Sequence, residues 1–335
     1  MTDVDGRREF AVRLPDAAVL HGEISGPPDA RLTVILLHGW TLDLHTWHRQ
    51  AAVLAGCPGV QVVAYDARGH GRSTSTCLAT MTLERLGDDL AEVVRRVGGA
   101  GPVVLAGHSM GGMTIMEYAH RHPQEFADRV AGLVFVATTA QGHTHTVYGL
   151  APPVARLVRI CELAGAGVLA RCGTWRPHQD LLRPLRPTLR WLLFGDSCDP
   201  DDLALTTTAV SRATLRAIGG YRASIGAQQR LSTLAAIGDL PAAVLVGDRD
   251  RLTPPVCAES IAEALVDTDL TVCPGGGHML MMERPDEITA ALRGVLDRVG
   301  VGTGSAGANE AVGALHGAVV GGPTRHRGGA RTVTS

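Results

Sequence analysis

Gly107-His108-Ser109-Met110-Gly111 decides the fold of this chain. The G-x-S-x-G spacing is weak by itself in a sequence holding 41 glycines, and its neighbours give it meaning. Pro102-Val103-Val104-Leu105-Ala106 before it is a short β-branched apolar run. Met110 to His122 after it reads as a helix stopped by Pro123. Strand, sharp turn and helix form the setting of a nucleophile elbow, which holds one serine exposed in a strained turn, so Ser109 is the expected nucleophile.

Outward from the elbow the chain alternates strand-like and helix-like segments, the pattern of a mostly parallel, doubly wound α/β sheet with helices on both faces. Arg8 to Leu14 and Ala18 to Ser25 read as an opening hairpin around Pro15-Asp16. Leu32 to Leu37 and Val60 to Tyr65 read as buried strands joined through a helix from His45 to Leu54, and Met81 to Val97 as a helix before the elbow strand. Val130 to Thr138, Ala242 to Val246 and Leu270 to Cys273 read as further strands, with helices after Pro254-Pro255 and from Asp286 to Val299. Between about Ala140 and Ile237 the β-branched runs vanish and Pro-punctuated helical stretches replace them. The expected organisation is a core of residues 1–139 and 238–299, a helical cap or lid insertion over 140–237, and a disordered Gly/Ala/Thr/Ser-rich tail over 300–335.

A serine hydroxyl needs a base to take its proton and a carboxylate to orient that base. Val244-Leu245-Val246-Gly247-Asp248-Arg249-Asp250 places two aspartates just past a buried strand. His278 follows Gly275-Gly276-Gly277, read as a backbone loose enough to swing an imidazole over the serine.

The order Ser109, Asp250, His278 resembles that of the α/β-hydrolases. The matching pieces are Leu37-His38-Gly39-Trp40, Tyr65 to Ser73, the elbow, Gly247-Asp248-Arg249-Asp250 and Gly277-His278-Met279, and the resemblance spans about residues 8 to 299. It implies an α/β-hydrolase fold of the serine esterase or lipase-like branch. Ser109 would be the nucleophile, His278 the general base and then acid, and Asp250 the orienting carboxylate. The backbone N–H groups of Trp40 and Met110 would form the oxyanion hole. Asp248 competes for the acid role, and the family's G-x-x-D loop favours Asp250. A serine at the elbow separates the chain from epoxide hydrolases and haloalkane dehalogenases, which carry aspartate there. The implied activity is hydrolysis of a carboxylic ester with an apolar portion. Lactonases, thioesterases, C–C bond hydrolases, cofactor-free perhydrolases or haloperoxidases and a non-catalytic receptor share the same constellation.

Asp66 through Ser73 reads as a structural corner, His38 as a hydrogen-bonded core residue, and His108 has no clear chemical role. His143 and His145 lack an evident third metal ligand, and no glycine group opens a helix as a phosphate loop does, so neither metal nor cofactor is expected. Leu181 to Phe194 is read as a core-facing stripe with a solvated arginine face, in preference to a surface with weak lipid contact. Trp175, Trp191, Phe194 and Met279 to Met282 are candidates for pocket lining or core.

Hydrophobic residues make up 45% of the 335 and charged residues 19%, enough for a sizeable core. The net charge of −2 gives no electrostatic reason to expect nucleic acid as a partner. Every basic residue is arginine. No uncharged apolar run approaches the length of a spanning helix, and Met1 to Arg8 lacks a signal-like apolar stretch. Seven scattered cysteines without a C-x-x-C pair read as reduced thiols in a cytoplasmic protein, with a Cys161–Cys172 bridge left open.

Overall fold

The computed structural model describes residues 3–4, 7–146 and 148–300. Nine strands form one sheet: β1 (Asp3–Val4), β2 (Arg7–Arg13), β3 (Val19–Ser25), β4 (Leu32–Leu37), β5 (Val60–Tyr65), β6 (Val103–His108), β7 (Val130–Val136), β8 (Ala242–Gly247) and β9 (Thr268–Cys273). Their spatial order is β1-β2-β3-β5-β4-β6-β7-β8-β9. The opening hairpin pairs antiparallel and joins β5 antiparallel, and every pairing from β5 through β9 is parallel. This is the mostly parallel α/β sheet that the sequence predicts.

The central strands are buried on both faces because helices cover both. Ile35, Leu37, Val103 and Leu105 pack into one core and Val34, Leu36, Val104 and Ala106 into the other, following the two-residue period of a strand. Truncating one of these, such as Leu105→Ala, costs about 2–5 kcal/mol. The covering helices are α1 (His48–Ala55), α2 (Leu83–Val97), α3 (Met110–Arg121) and α4 (Pro123–Arg129). α2 starts two residues later than expected, because Thr82 accepts from the Arg85 amide as an N-cap.

Between β7 and β8 the chain is helical: α5 (Pro152–Arg171), α6 (Gln179–Leu182), α7 (Arg186–Leu193), α8 (Pro200–Arg212), α9 (Leu215–Ala227) and α10 (Leu231–Ala235). After β8 come α11 (Pro255–Ala264), α12 (Leu280–Glu283) and α13 (Pro285–Arg298). Apart from Gly300, the expected tail over 300–335 lies outside the described residues. No helix among the described residues is long and apolar enough to cross a membrane.

Cys161 and Cys172 are both free, which closes the bridge that the sequence left open. Eleven residues apart along one helix, they are separated by about 16 Å of axial rise, beyond the reach of a disulfide. The stretch Leu181 to Phe194 is not a clean core-facing stripe: Leu182 and Phe194 are buried, but Leu181, Leu185 and Trp191 are exposed. Phe194 and Met279 to Met282 belong to the core under the sheet, and Trp175 faces solvent.

Candidate active site

Sheet order brings the site together. β4 and β6 are neighbours with Leu37 opposite Gly107, so the loop after β4 and the turn after β6 leave the sheet side by side. β8 and β9 are neighbours with Gly247 opposite Cys273, which likewise pairs the loops carrying Asp250 and His278. All four loops lie at the carboxyl ends of parallel strands around the point where the chain changes winding direction, the usual place for a ligand in an open α/β sheet.

At the elbow Ser109 has φ 51° and ψ −117°, a left-handed conformation that costs a non-glycine residue about 1–3 kcal/mol. Tertiary bonds hold it there. The Ser109 amide donates to Val136 O at 3.0 Å, and its carbonyl accepts from Met113 N at 3.2 Å and Thr138 Oγ1 at 2.7 Å. The flanking glycines answer to close packing: a Cβ on Gly107 would lie 2.4 Å from Gly112 N, and one on Gly111 2.4 Å from Leu37 O.

Met110 is the first residue of α3, so its amide is one of the donors a helix start leaves without an intrahelical partner. No acceptor among the described residues takes the N–H of Met110 or of Trp40. The Trp40 loop is fixed from beneath. His70 Nε2 accepts from Thr41 N at 3.2 Å while its Nδ1 faces Arg68 O at 3.1 Å, and burial pushes the His70 pKa down to about 3. His38 Nε2 accepts from Ala67 N at 2.9 Å. Asp66 accepts from Leu44 N at 2.9 Å and Arg72 N at 2.8 Å, and Ser73 Oγ donates to Asp66 O at 2.6 Å. The corner and His38 are therefore scaffolding, as expected.

His278 Nδ1 lies 2.8 Å from Asp250 Oδ2, and both side chains are buried. The carboxylate is held from all sides: Oδ1 accepts from the amides of Leu252 (2.8 Å) and Thr253 (2.9 Å), and Oδ2 from Thr253 Oγ1 at 2.8 Å. A proton on Nδ1 donated to the carboxylate leaves the lone pair on Nε2, the nitrogen available to act as a base. Asp248 points elsewhere, accepting from Gly275 N at 2.7 Å at the surface. Of the two aspartates, Asp250 is the one that reaches the imidazole.

Two supports for His278 were not legible in the sequence. His108 is fully buried, its Nε2 donates to His278 O at 2.9 Å, and the two rings lie 4.8 Å apart. Burial holds the His108 pKa well below the ordinary imidazole value. Glu283 accepts from the amides of Gly195 (2.8 Å), Gly277 (3.1 Å) and Met279 (3.2 Å). The loop of three glycines is accordingly not loose. A Cβ on Gly277 would lie 2.3 Å from Gly195 N, so glycine there serves close backbone approach.

A narrow cleft opens over Ser109. Trp40, Met110, Met113, Ile225 and Leu252 supply its apolar walls, and Thr253, whose hydroxyl lies 3.4 Å from His278 Nδ1, lines it too. None of Trp175, Trp191, Phe194 or Met279 to Met282 lines it, so of the two readings the sequence left open, core packing holds for Phe194 and Met279 to Met282. One wall is polar but self-satisfied. Buried Arg222 pairs with both oxygens of Glu162, Tyr148 Oη donates to Glu162, and Arg222 donates to His143 Nε2. His143 is thereby a clamp on the guanidinium, and burial beside that cation pushes its pKa down to about 4. Among the described residues no cluster of three or more His, Cys, Asp or Glu is arranged to hold a metal ion.

A sheet of this order, with a strained serine after one strand and an aspartate–histidine pair on later loops, defines the class. A sequence profile of the Alpha/beta hydrolase family matches residues 34–291, and the chain belongs to that family. Among individual proteins it is similar to the monoacylglycerol lipase of Mycolicibacterium smegmatis, 28% identical over 262 residues, 76% of this chain and 84% of that one. It is also similar to the pimeloyl-[acyl-carrier protein] methyl ester esterase of Chromobacterium violaceum, 28% identical over 273 residues, 77% of this chain and 92% of that one. Among solved structures, a thermophilic esterase from Thermogutta terrifontis superposes with a TM-score of 0.70 at 25% identity, covering 87% of this chain and 99% of that one.

Proposed function

We propose that this hydrolase is a serine carboxylesterase acting on uncharged esters of small or medium size through an acyl-enzyme. The observation that carries the reading is the buried 2.8 Å contact between His278 Nδ1 and Asp250 Oδ2, placed by Thr253 at the edge of the cleft that holds Ser109. In this reading Ser109 Oγ attacks the ester carbonyl as His278 Nε2 takes its proton. The tetrahedral oxyanion rests on the N–H groups of Trp40 and Met110, each donor contributing about 3 kcal/mol to the transition state. Collapse expels the alcohol, which receives the proton from His278. A water activated by the same imidazole then releases the acid and restores Ser109.

The cleft wall supports an uncharged substrate. Glu162 and Arg222 neutralise one another, so no unpaired charge faces the cleft from that side, and Asp, Lys and Arg are absent from the rest of the lining. The segment between β7 and β8 acts as a cap in this reading, supplying Tyr148 from the loop before α5, Glu162 from α5 and Ile225 from α9 to the cleft. A series of nitrophenyl esters of rising acyl length, assayed beside a lactone and a thioester, tests the assignment. A kcat/KM maximum at short to medium acyl chains is expected. A lactone or thioester turned over far faster than every ester overturns it.

A further inference from the structure

Ten of the fifteen exposed large hydrophobic side chains among the described residues fall between Val154 and Trp191. The reason is that α5 is amphipathic in the reverse sense. Its inward stripe, against α9, is Ala155, Arg159, Glu162, Ala166 and Ala170, with Arg159 donating to Thr146 O and Glu162 paired to Arg222. Half a turn away, Leu157, Ile160, Ala164 and Val168 recur at helical spacing and face solvent, with Leu157 61% and Val168 62% exposed. A surface helix of a soluble domain normally turns such a stripe to the core, and a contiguous exposed one marks an interaction face.

Charge identifies the partner. Residues 152–194 contain seven arginines against two acidic residues, Glu162 and Asp180, in a chain whose net charge is −2. Glu162 is consumed by Arg222, and Arg156 and Arg171 flank the apolar stripe at the surface. Trp175, in the loop after α5, and Trp191, on α7, are exposed as well, the residue type that settles at a membrane–water boundary. An apolar ridge rimmed by arginine and tryptophan fits a negatively charged lipid surface.

We propose that the outward face of α5 docks this protein on the surface of an anionic phospholipid membrane. Apolar side chains at 157, 160 and 168 enter the boundary between headgroups and acyl chains, and the surrounding arginines contact lipid phosphates. Trp191, on α7, lies near the cleft: Arg251, next to the cleft residue Leu252, stacks on its ring at 5.1 Å.

The test uses the full chain and sedimentable vesicles of phosphatidylcholine alone or mixed equally with phosphatidylglycerol. Expected is co-sedimentation with the mixed vesicles, little with phosphatidylcholine alone, and release by salt. The double variant Leu157→Asp with Val168→Asp should lower the partition coefficient at least about tenfold with unchanged circular dichroism and melting, since both side chains face solvent. Arg156→Glu with Arg171→Glu should lose the anionic preference. Val266→Asp, an exposed apolar position outside this segment, should bind as the parent does. Absence of binding to the mixed vesicles overturns the proposal, as does equal binding by the 157/168 variant. A dimer in light scattering that the same variant dissolves, without vesicle binding, assigns the face to a second copy and also overturns it. The readout needs no turnover: Ser109→Ala should bind unchanged, so failure here leaves the proposed hydrolysis standing.

Discussion

The His108 imidazole donates through Nε2 to the backbone carbonyl of His278 at 2.9 Å, tying the residue before the elbow serine to the residue proposed as its base. The acceptor is a carbonyl, so the hydrogen is on Nε2 and the bare Nδ1 faces Gly39, where a Cβ would lie 2.6 Å away. This neutral histidine fixes the distance between two strand ends. His108→Phe keeps the ring and removes the donor. An unsatisfied buried carbonyl costs about 1–3 kcal/mol, and chemical denaturation should show a loss of that order. With the His278 backbone freed, kcat should fall about tenfold with KM little changed. An unchanged kcat would show that the bond is structural only.

Asp250 and Asp248 give a paired test. Asp250→Asn keeps the shape but prefers the wrong imidazole tautomer, and kcat should fall by about 10⁴. Asp248→Asn touches the Gly275 amide and a loose surface contact with Arg249, and should leave kcat within about twofold. Steady-state kinetics on one nitrophenyl ester compares them, and a larger loss at 248 would contradict the geometry.

Glu283 holds the amides of Gly195, Gly277 and Met279 together. Glu283→Ala strands those donors and should destabilise by about 2–4 kcal/mol, with kcat reduced because the loop on either side of His278 loses its anchor. Thermal melting alongside kinetics checks both. An unaltered melting temperature would mean water replaces the carboxylate at no cost.

Stability should fall in mild acid. His70 and His143 have folded pKa values of about 3 and 4, and His108 lies well below the ordinary value, all depressed by burial. Each binds its proton in the unfolded chain near pH 6.5 and not in the folded one, so stability is lost as pH drops below about 6.5. Asp89 runs the other way: desolvation raises it to about 6 against the pull of Arg68, and it takes up a proton in the folded state over the same window. Three protons against one leaves a net of about two, or roughly 2.7 kcal/mol per pH unit between about pH 6 and 5. Urea titrations across that window measure the slope directly, and a flat profile would contradict it.

The parallel sheet was legible because its strands are buried on both faces and spell themselves as apolar runs: Leu32–Leu37 and Val60–Tyr65 match their strands residue for residue. Ser109, Asp250 and His278 were legible because motif glycines and strand ends fix them locally. His108 and Glu283 were not, because their roles depend on partners at 278, 195 and 277 that no local pattern announces. The exposed apolar face of α5 was not legible for a related reason. Helical periodicity shows that a stripe exists, and only the packing of Ala155, Ala166 and Ala170 shows which side of the helix turned inward.

Treatment of the folded protein with a fluorophosphonate, followed by peptide mapping, bears most directly on whether the hydroxyl at 109 is an activated nucleophile. One adduct per chain, on Ser109, abolished in Ser109→Ala and strongly slowed in His278→Ala, is the expected result. No adduct on the folded wild type, or equal labelling of Ser109→Ala, would contradict the proposed chemistry.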